Sequence, residues 1–536
     1  MTELYAQSLV ELKRLLDKGA ISSVDIVRSL HARADETEPD VRGFSRQLRA
    51  ESLQEAERCD RERRRGVAGG PLGGLPFSLK ENIALAGYAC TTGLRREVDH
   101  RPAVDASIVI AARRAGAFCI GKSNVPQGLL SMRCENNIYG PTYNPWSLRH
   151  VSGGSSSGEG ALIASGASLF GFGTDLGGSI RFPAAFCGIC GFKPTQDAWS
   201  NIGINSAVPG QNLIRAQVGP MARSAADLAL IFDAIDTQWM ASRDWRVPDR
   251  VEIAAPSKRR IGYFTSDGVT ESHPAMRRAV QQAVDALRAE GHELVEVEPW
   301  YHADFVALYL AAMSADGLRT VKRRFAGESP SSSLRLIWWL ATIPRPWRRL
   351  SALALRTAKE PTLARIVEET GELTVEQFWQ LVARSEQLKL DYQEKWRASG
   401  ISALVTPAAA SPAVPIGMEQ DASMIFSYFG PYNILGMPAG VLPISRVRPN
   451  ETIMDGGNER IGRRLTAIAT RSAGLPVAVQ VVAPPGSDRI AVQLMCQIEP
   501  YAHEAADFPR VPTTIDGACL PTAAASNDNV RMCSPS

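Results

Sequence analysis

Residues 171–195 read GFGTDLGGSIRFPAAFCGICGFKPT. The segment begins inside an apolar run, Leu169-Phe170-Gly171-Phe172-Gly173, of the length of a buried strand. It then turns through Gly177-Gly178-Ser179, which sets a hydroxyl behind two residues whose amides no side chain obstructs. Such a turn can aim several N–H groups at one point, as a tetrahedral oxyanion requires. The same alternation of short apolar runs with glycine- and serine-rich turns extends back to Gly69, as in LPFSL (75–79) and FCIG (118–121). These runs suit strands of a sheet covered by helices, so the fold class is α/β.

Outward from this centre the pattern changes. The first 65 residues read as helices, with Ser22-Ser23-Val24-Asp25 supplying N-cap chemistry before an apolar-periodic run. AMRRAVQQAVDALRAE (275–290) is an amphipathic helix stopped by Gly291, and the ELVEVE that follows alternates like a strand. Residues 401–407 and 475–483 read as buried strands, whereas NPWSLRHV (144–151) is a poor strand. Beyond about residue 505 the chain is rich in Pro, Thr, Ala, Ser and Asn, a composition that predicts a disordered tail over 505–536. No internal repeat is present.

Composition narrows the partners. The 536 residues are 45% hydrophobic and 21% charged with a net charge of +3, and the densest charged stretch, Arg61 to Arg65, is mixed in sign, so nucleic acid is a poor partner. The N-terminus lacks the uninterrupted apolar core of a signal peptide, and no run of 18 apolar residues follows. Nine scattered cysteines argue against a disulfide framework and for a reducing, cytoplasmic setting.

Three motifs are set aside on context. Gly116 to Ser123 (GAFCIGKS) matches the phosphate-loop pattern, yet AARRAGA before it reads as helix and Phe118-Cys119-Ile120 as strand, the reverse of the required order. Gly154 to Gly158 (GSSSG) fits a nucleophile elbow around Ser156, but no good strand precedes it. None of His273, His292, His302 and His503 has a distinctive setting downstream. Cys187 and Cys190 form C-G-I-C without a second pair to complete a zinc site.

Two further segments carry chemistry. Lys80 closes the apolar run in GGLPFSLKEN (73–82); a lysine buried at a sheet edge loses its proton more easily and becomes a usable base, while the same residue at a solvated strand end would not. SGGSSSGEGALIASG (152–166) runs from glycines and serines straight into an apolar stretch, unlike a flexible linker. In this order, the three segments strongly resemble the amidase-signature family. So do SNVPQGLLS (123–131), YGPTYNPW (139–146), GPMARS (219–224) and GLPVAVQVV (474–482). The resemblance spans about residues 5–500 and implies one domain over 1–504 built on a large twisted mixed sheet with helices on both faces. By position it implies Ser179 as nucleophile, Ser155 as bridging serine after a cis peptide, and Lys80 as base. The backbone amides of Leu176, Gly177, Gly178 and Ser179 would form the oxyanion hole. The implied reaction is amide hydrolysis through an acyl-enzyme, with no metal or organic cofactor.

Within the family the chain looks most like the fatty acid amide hydrolase branch, through the opening stretch, NVPQGLLS and GYFTSDGVTESHPAMRRA (262–279). SLRLIWWLATIPRPWRRLSALALRT (333–357) sits where that branch has a membrane-binding helical cap, and Pro344 and Pro346 split it into two short helices. Trp338, Trp339 and Trp347 beside Arg345, Arg348 and Arg349 suit a lipid headgroup boundary, and any membrane contact would be peripheral. An ordinary buried hairpin or a homodimer contact would use the same composition. The expected substrate is an N-acyl or fatty acid amide. The alternatives are an anilide or carbamate hydrolase on the same machinery, a glutaminase component of a tRNA-dependent amidotransferase, and a non-catalytic surface protein.

Overall fold

The computed structural model describes residues 3–248, 258–335, 338, 343, 345–419, 424–454, 460–511 and 515. Thirteen strands are present among them: β1 (Phe44–Gln47), β2 (Pro76–Lys80), β3 (Phe118–Ser123), β4 (Tyr143–Asn144), β5 (Ser147–Val151), β6 (Phe170–Asp175), β7 (Cys190–Lys193), β8 (Gln217–Ala222), β9 (Arg260–Tyr263), β10 (Glu293–Glu296), β11 (Ala403–Pro407), β12 (Ala439–Arg446) and β13 (Pro476–Val482). Eleven of these form one mixed sheet in the order β1-β3-β2-β6-β8-β7-β12-β13-β11-β9-β10. β2 lies parallel to both β3 and β6, and β9 to both β10 and β11; the remaining pairs are antiparallel.

Helices cover both faces, as the sequence predicts. A side chain at Gly191 in β7 would meet Ala184 of the helix Arg181–Cys187, whereas one at Gly440 in the neighbouring strand β12 would meet Met495 of the helix Asp488–Glu504. Gly440 pairs with Phe192, the residue after Gly191, and successive residues of a strand point to opposite faces. Phe77, Phe170 and Phe172 pack ring to ring between β2 and β6, with Trp199 against Phe172. All four are fully buried, and each contributes about 1.5–3 kcal/mol by leaving water.

The helices at Leu9–Asp17, Ser23–Val41 and Arg49–Arg64 match the reading of the first 65 residues, and Ser22 with Asp25 forms a reciprocal capping box. One correction falls here: Phe44–Gln47 is a strand, because it pairs with β3 at the sheet edge, a partner that local periodicity does not reveal. NPWSLRHV also proves more regular than its pattern. Ser147–Val151 pairs with Tyr143–Asn144 in a separate two-stranded ribbon, where one face stays near solvent and no apolar run is needed. The phosphate-loop lookalike is strand β3 preceded by the helix Ser107–Arg114, which confirms the reversed context.

Residues 505–511 also depart from the expected disordered tail. Phe508 stands edge-on to His503 at 4.3 Å, Pro509 is buried, and Asp507 pairs with Arg448 at 3.0 Å. Apart from residue 515, the rest of that tail lies outside the described residues, as do Trp339 and most of 336–344. The second half of the Trp- and Arg-rich segment is a helix, Arg345–Thr357. Among the described residues no helix is long and apolar enough to cross a membrane.

Candidate active site

β2 delivers Lys80 to the face of the sheet covered by the helix Ser157–Ser165. Alternation along the strand turns Ser78 and Lys80 to that side and Phe77 and Leu79 to the other. Lys80 is fully buried, and its Nζ lies 2.8 Å from Ser155 Oγ, 2.9 Å from Thr174 Oγ1 and 3.2 Å from the Thr174 carbonyl. Burial pushes the ammonium down to about 7, against the opposing pull of Asp175 and Glu159. Ser155 follows a cis peptide bond from Gly154. The next residue, Ser156, donates its amide to the Ser179 carbonyl at 3.0 Å, which ties the two serine segments together.

Sheet and helix approach closely here because β6 carries glycine at the contact. A side chain at Gly171 would collide with the Glu159 carboxylate, and one at Gly173 would meet Ser156 Oγ at 2.6 Å. Glu159 is itself buried and accepts a hydrogen bond from Ser78 Oγ at 2.5 Å; burial pushes its carboxyl up to about 7.

Past β6 the chain turns through Leu176 to Ser179, braced from below by a buried ion pair. Asp175 accepts from Arg181 through both carboxylate oxygens, at 2.9 Å each, from Asn433 Nδ2 at 3.0 Å and from the Ile180 amide at 3.2 Å. Arg181 also donates to Gln480 Oε1 at 2.8 Å. Burial alone would raise the Asp175 carboxyl, but the Arg181 guanidinium and Asn433 prevail and hold it well below the usual carboxylate range. Breaking one partner of such a pair typically costs about 3–5 kcal/mol.

The structure therefore brings Lys80 to Ser155 and the bridging segment to Ser179. Among the described residues the Ser179 hydroxyl itself makes no hydrogen bond. Ser179, Leu176 and Gly177 are half-exposed where their surroundings are buried, so the loop faces an opening. Of the four loop amides that the resemblance implies for the oxyanion hole, Gly178 donates to Asp175 Oδ1 at 2.7 Å. Leu176, Gly177 and Ser179 retain amides without an acceptor among the described residues. Thr174, Asp175, Arg181 and Glu159 went unnominated by the sequence reading. Asp175 and Arg181 flank the Gly-Gly-Ser turn symmetrically enough to have been suspected, whereas Glu159 sits one turn beyond Ser155. Cys187 and Cys190 are buried free thiols, and among the described residues no cluster of His, Cys, Asp or Glu could hold a metal.

The Amidase family profile matches residues 25–491. The chain belongs to the amidase family. It is 36% identical over 452 residues to Fatty-acid amide hydrolase 1 of Sus scrofa, an overlap of 82% of this chain and 78% of that protein. Fatty acid amide hydrolase 1 of Caenorhabditis elegans is 31% identical over 441 residues, covering 80% of this chain and 76% of its own. Among solved structures, a fatty acid amide hydrolase superposes with a TM-score of 0.81 at 24% identity, over 93% of this chain and 85% of that one. The eleven-stranded mixed sheet is accordingly the amidase-signature fold, and this amidase is an amide-hydrolysing enzyme.

Proposed function

We propose that this amidase hydrolyses N-acyl amides bearing a long apolar acyl group, with Ser179 as nucleophile, Ser155 as proton bridge and Lys80 as base. The observation that carries the substrate class is an apolar cluster that begins at the oxyanion loop. Leu176 and Trp338 both pack against a buried cluster that includes Leu94, Val321, Phe325 and Leu334, and the Trp338 ring lies 5.1 Å from that of Phe325. A fatty chain laid along these residues would bring its carbonyl to Leu176 and Ser179.

The relay follows from valence. A neutral amine has two N–H bonds and one lone pair. With the two N–H groups directed to the Thr174 oxygens, the lone pair of Lys80 faces Ser155. Ser155 gives its proton to Lys80 and takes one from Ser179, whose oxygen attacks the amide carbon. The negative oxygen that forms is held by the free amides of Leu176, Gly177 and Ser179. Proton return through Ser155 releases the amine, and water then cleaves the acyl-enzyme by the same route.

The helix Arg345–Thr357 supports a peripheral membrane role. Trp347, Leu350 and Leu353 are 64%, 57% and 58% exposed along one side, and Arg349 and Arg356 are exposed near them. Arg348 differs from its expected place at a headgroup boundary: it is buried and donates to the carbonyl of Ile343 at 2.6 Å. The same apolar side would otherwise serve a homodimer. The free thiols among the described cysteines support a cytoplasmic, reducing location.

The test pairs oleoyl amide with acetanilide, using the purified single chain and Ser179→Ala. Turnover of oleoyl amide that Ser179→Ala abolishes is the expected result. Turnover of acetanilide alone would move the substrate to small aromatic amides, and wild-type rates in a folded Ser179→Ala variant would remove the nucleophile. Combining Trp347→Ser, Leu350→Ser and Leu353→Ser should release the enzyme from anionic liposomes; an unchanged liposome fraction with a smaller solution mass would assign the face to a dimer.

A further inference from the structure

Of the four amides of the loop 176–179, that of Gly178 donates to Asp175. The structure sets a different donor beside the loop. At Gly177 the nearest atom to the position of a missing side chain is the hydroxyl oxygen of Tyr309, with its Cζ next at 2.8 Å. Glycine at this point is what admits the phenol to the loop backbone. Tyr309 comes from the helix His302–Ser314, and its ring is held from the other side by Phe426 at a centroid separation of 5.2 Å. The far wall of the loop is apolar, since a side chain at Gly178 would meet Phe182 and Phe429. Tyr309 thus places a hydroxyl against the loop backbone at Gly177.

Three further facts bear on what that hydroxyl does. Tyr309 is only half-buried, as are Leu176, Gly177 and Ser179 of the loop it touches at Gly177. Among the described residues its oxygen makes no hydrogen bond, although buried and half-buried hydroxyls ordinarily find a partner. Burial and the neighbouring Asp175 carboxylate hold the phenol above its ordinary range, so it stays protonated and able to donate. A donor fixed by ring packing and left without an acceptor is arranged in advance for an oxygen that arrives with the substrate.

We infer that the Tyr309 hydroxyl donates a hydrogen bond to the substrate carbonyl oxygen as it becomes negative, joining the amides of Leu176, Gly177 and Ser179. The inference rests on the reading of Ser179 as nucleophile, since the oxyanion forms beside whichever atom attacks. Donors that strengthen as charge develops act on the transition state more than on the bound substrate. The effect of removing this one belongs in kcat rather than KM.

Tyr309→Phe preserves the ring and its contact with Phe426. The experiment measures kcat and KM of this variant on a fatty amide, together with its affinity for a long-chain trifluoromethyl ketone. Addition of a serine to that ketone creates a stable oxyanion without a leaving group. The expected result is a kcat about 100-fold lower with KM within about twofold, and ketone affinity weakened by a similar factor. A kcat within about threefold of wild type overturns the inference, and so does a large kcat loss with unchanged ketone affinity. Ser179→Ala in parallel separates the two readings. If Ser179→Ala is inactive while Tyr309→Phe is not, only the role of Tyr309 falls; if Ser179→Ala stays active, the nucleophile was misassigned.

Discussion

Of the three lysines fully buried in the same sheet of this enzyme, Lys122 of β3 pairs with Glu81 at 3.7 Å, and the other two invite comparison: Lys80 at the end of β2 and Lys193 at the end of β7. Burial pushes both ammonium groups down to about 7; Arg181 adds to the effect at Lys193, while Asp175 opposes it at both. In basicity they are alike. In surroundings they are not. Lys80 meets two hydroxyls and a carbonyl within 3.2 Å, one of them Ser155, which is linked through Ser156 to the Ser179 segment. Among the described residues Lys193 meets only the carbonyl of its own neighbour, Pro194, at 3.0 Å. Loss of charge makes a lysine able to accept a proton. Only a hydroxyl aligned with the lone pair gives it one to accept, and of the two strands β2 places such a hydroxyl there.

The widest separation between the two should come from their removal. Lys80→Met is expected to lower kcat by about 10²–10⁴, the range of a general base, whereas Lys193→Met should lower it by less than about tenfold. Equal losses in folded proteins would mean that basicity alone, without the serine contact, was the wrong distinction. A smaller effect tests the alignment. Thr174→Val deletes one of the two acceptors that orient the Lys80 amine, so kcat should fall by roughly tenfold. Because Thr174 Oγ1 also favours the charged amine, the rising limb of the pH profile should move to lower pH.

In the unaltered enzyme that limb should lie near pH 7, with activity increasing as Lys80 deprotonates. A limb near 10 would show that the lysine is solvated during turnover. The smallest effect is on stability. A buried lysine titrating near 7 binds fewer protons than the unfolded chain between about pH 7 and its ordinary value of 10.5, so stability rises with pH across that window. Below about 7 the folded protein bears the full penalty of the buried charge. Melting temperatures of Lys193→Met and wild type should therefore differ more in favour of the variant at pH 6 than at pH 9. An unchanged difference would remove Lys193 from the set of depressed lysines.

How much of this was legible in advance varies with the range of the interaction. Lys80, Ser155 and Ser179 could be nominated because glycine-rich turns and a lysine closing an apolar run are local patterns, and the amidase resemblance orders them. Thr174 could not, because its role comes from β6 lying parallel beside β2. Gly178 was assigned to the oxyanion set with its neighbours, and only the placement of Asp175 shows that its amide donates to that carboxylate. Tyr309 carries no signal at all in the sequence: it lies 132 positions from Gly177, the separation of two residues brought together by the helix His302–Ser314. The strand Phe44–Gln47 was missed for the same reason, since its identity depends on β3.

By itself the sequence determined the α/β class, six of the thirteen strands, several of the helices, and the chemical types present at the candidate site. Those follow from periodicity and turn chemistry, which act over a few residues. The tertiary structure decided which buried lysine has a serine hydroxyl in reach, which amides of the loop stay free, and which apolar residues gather beside Leu176. Each of these depends on exclusion of water and on contacts between segments far apart in the chain, and neither is encoded in any short stretch of residues.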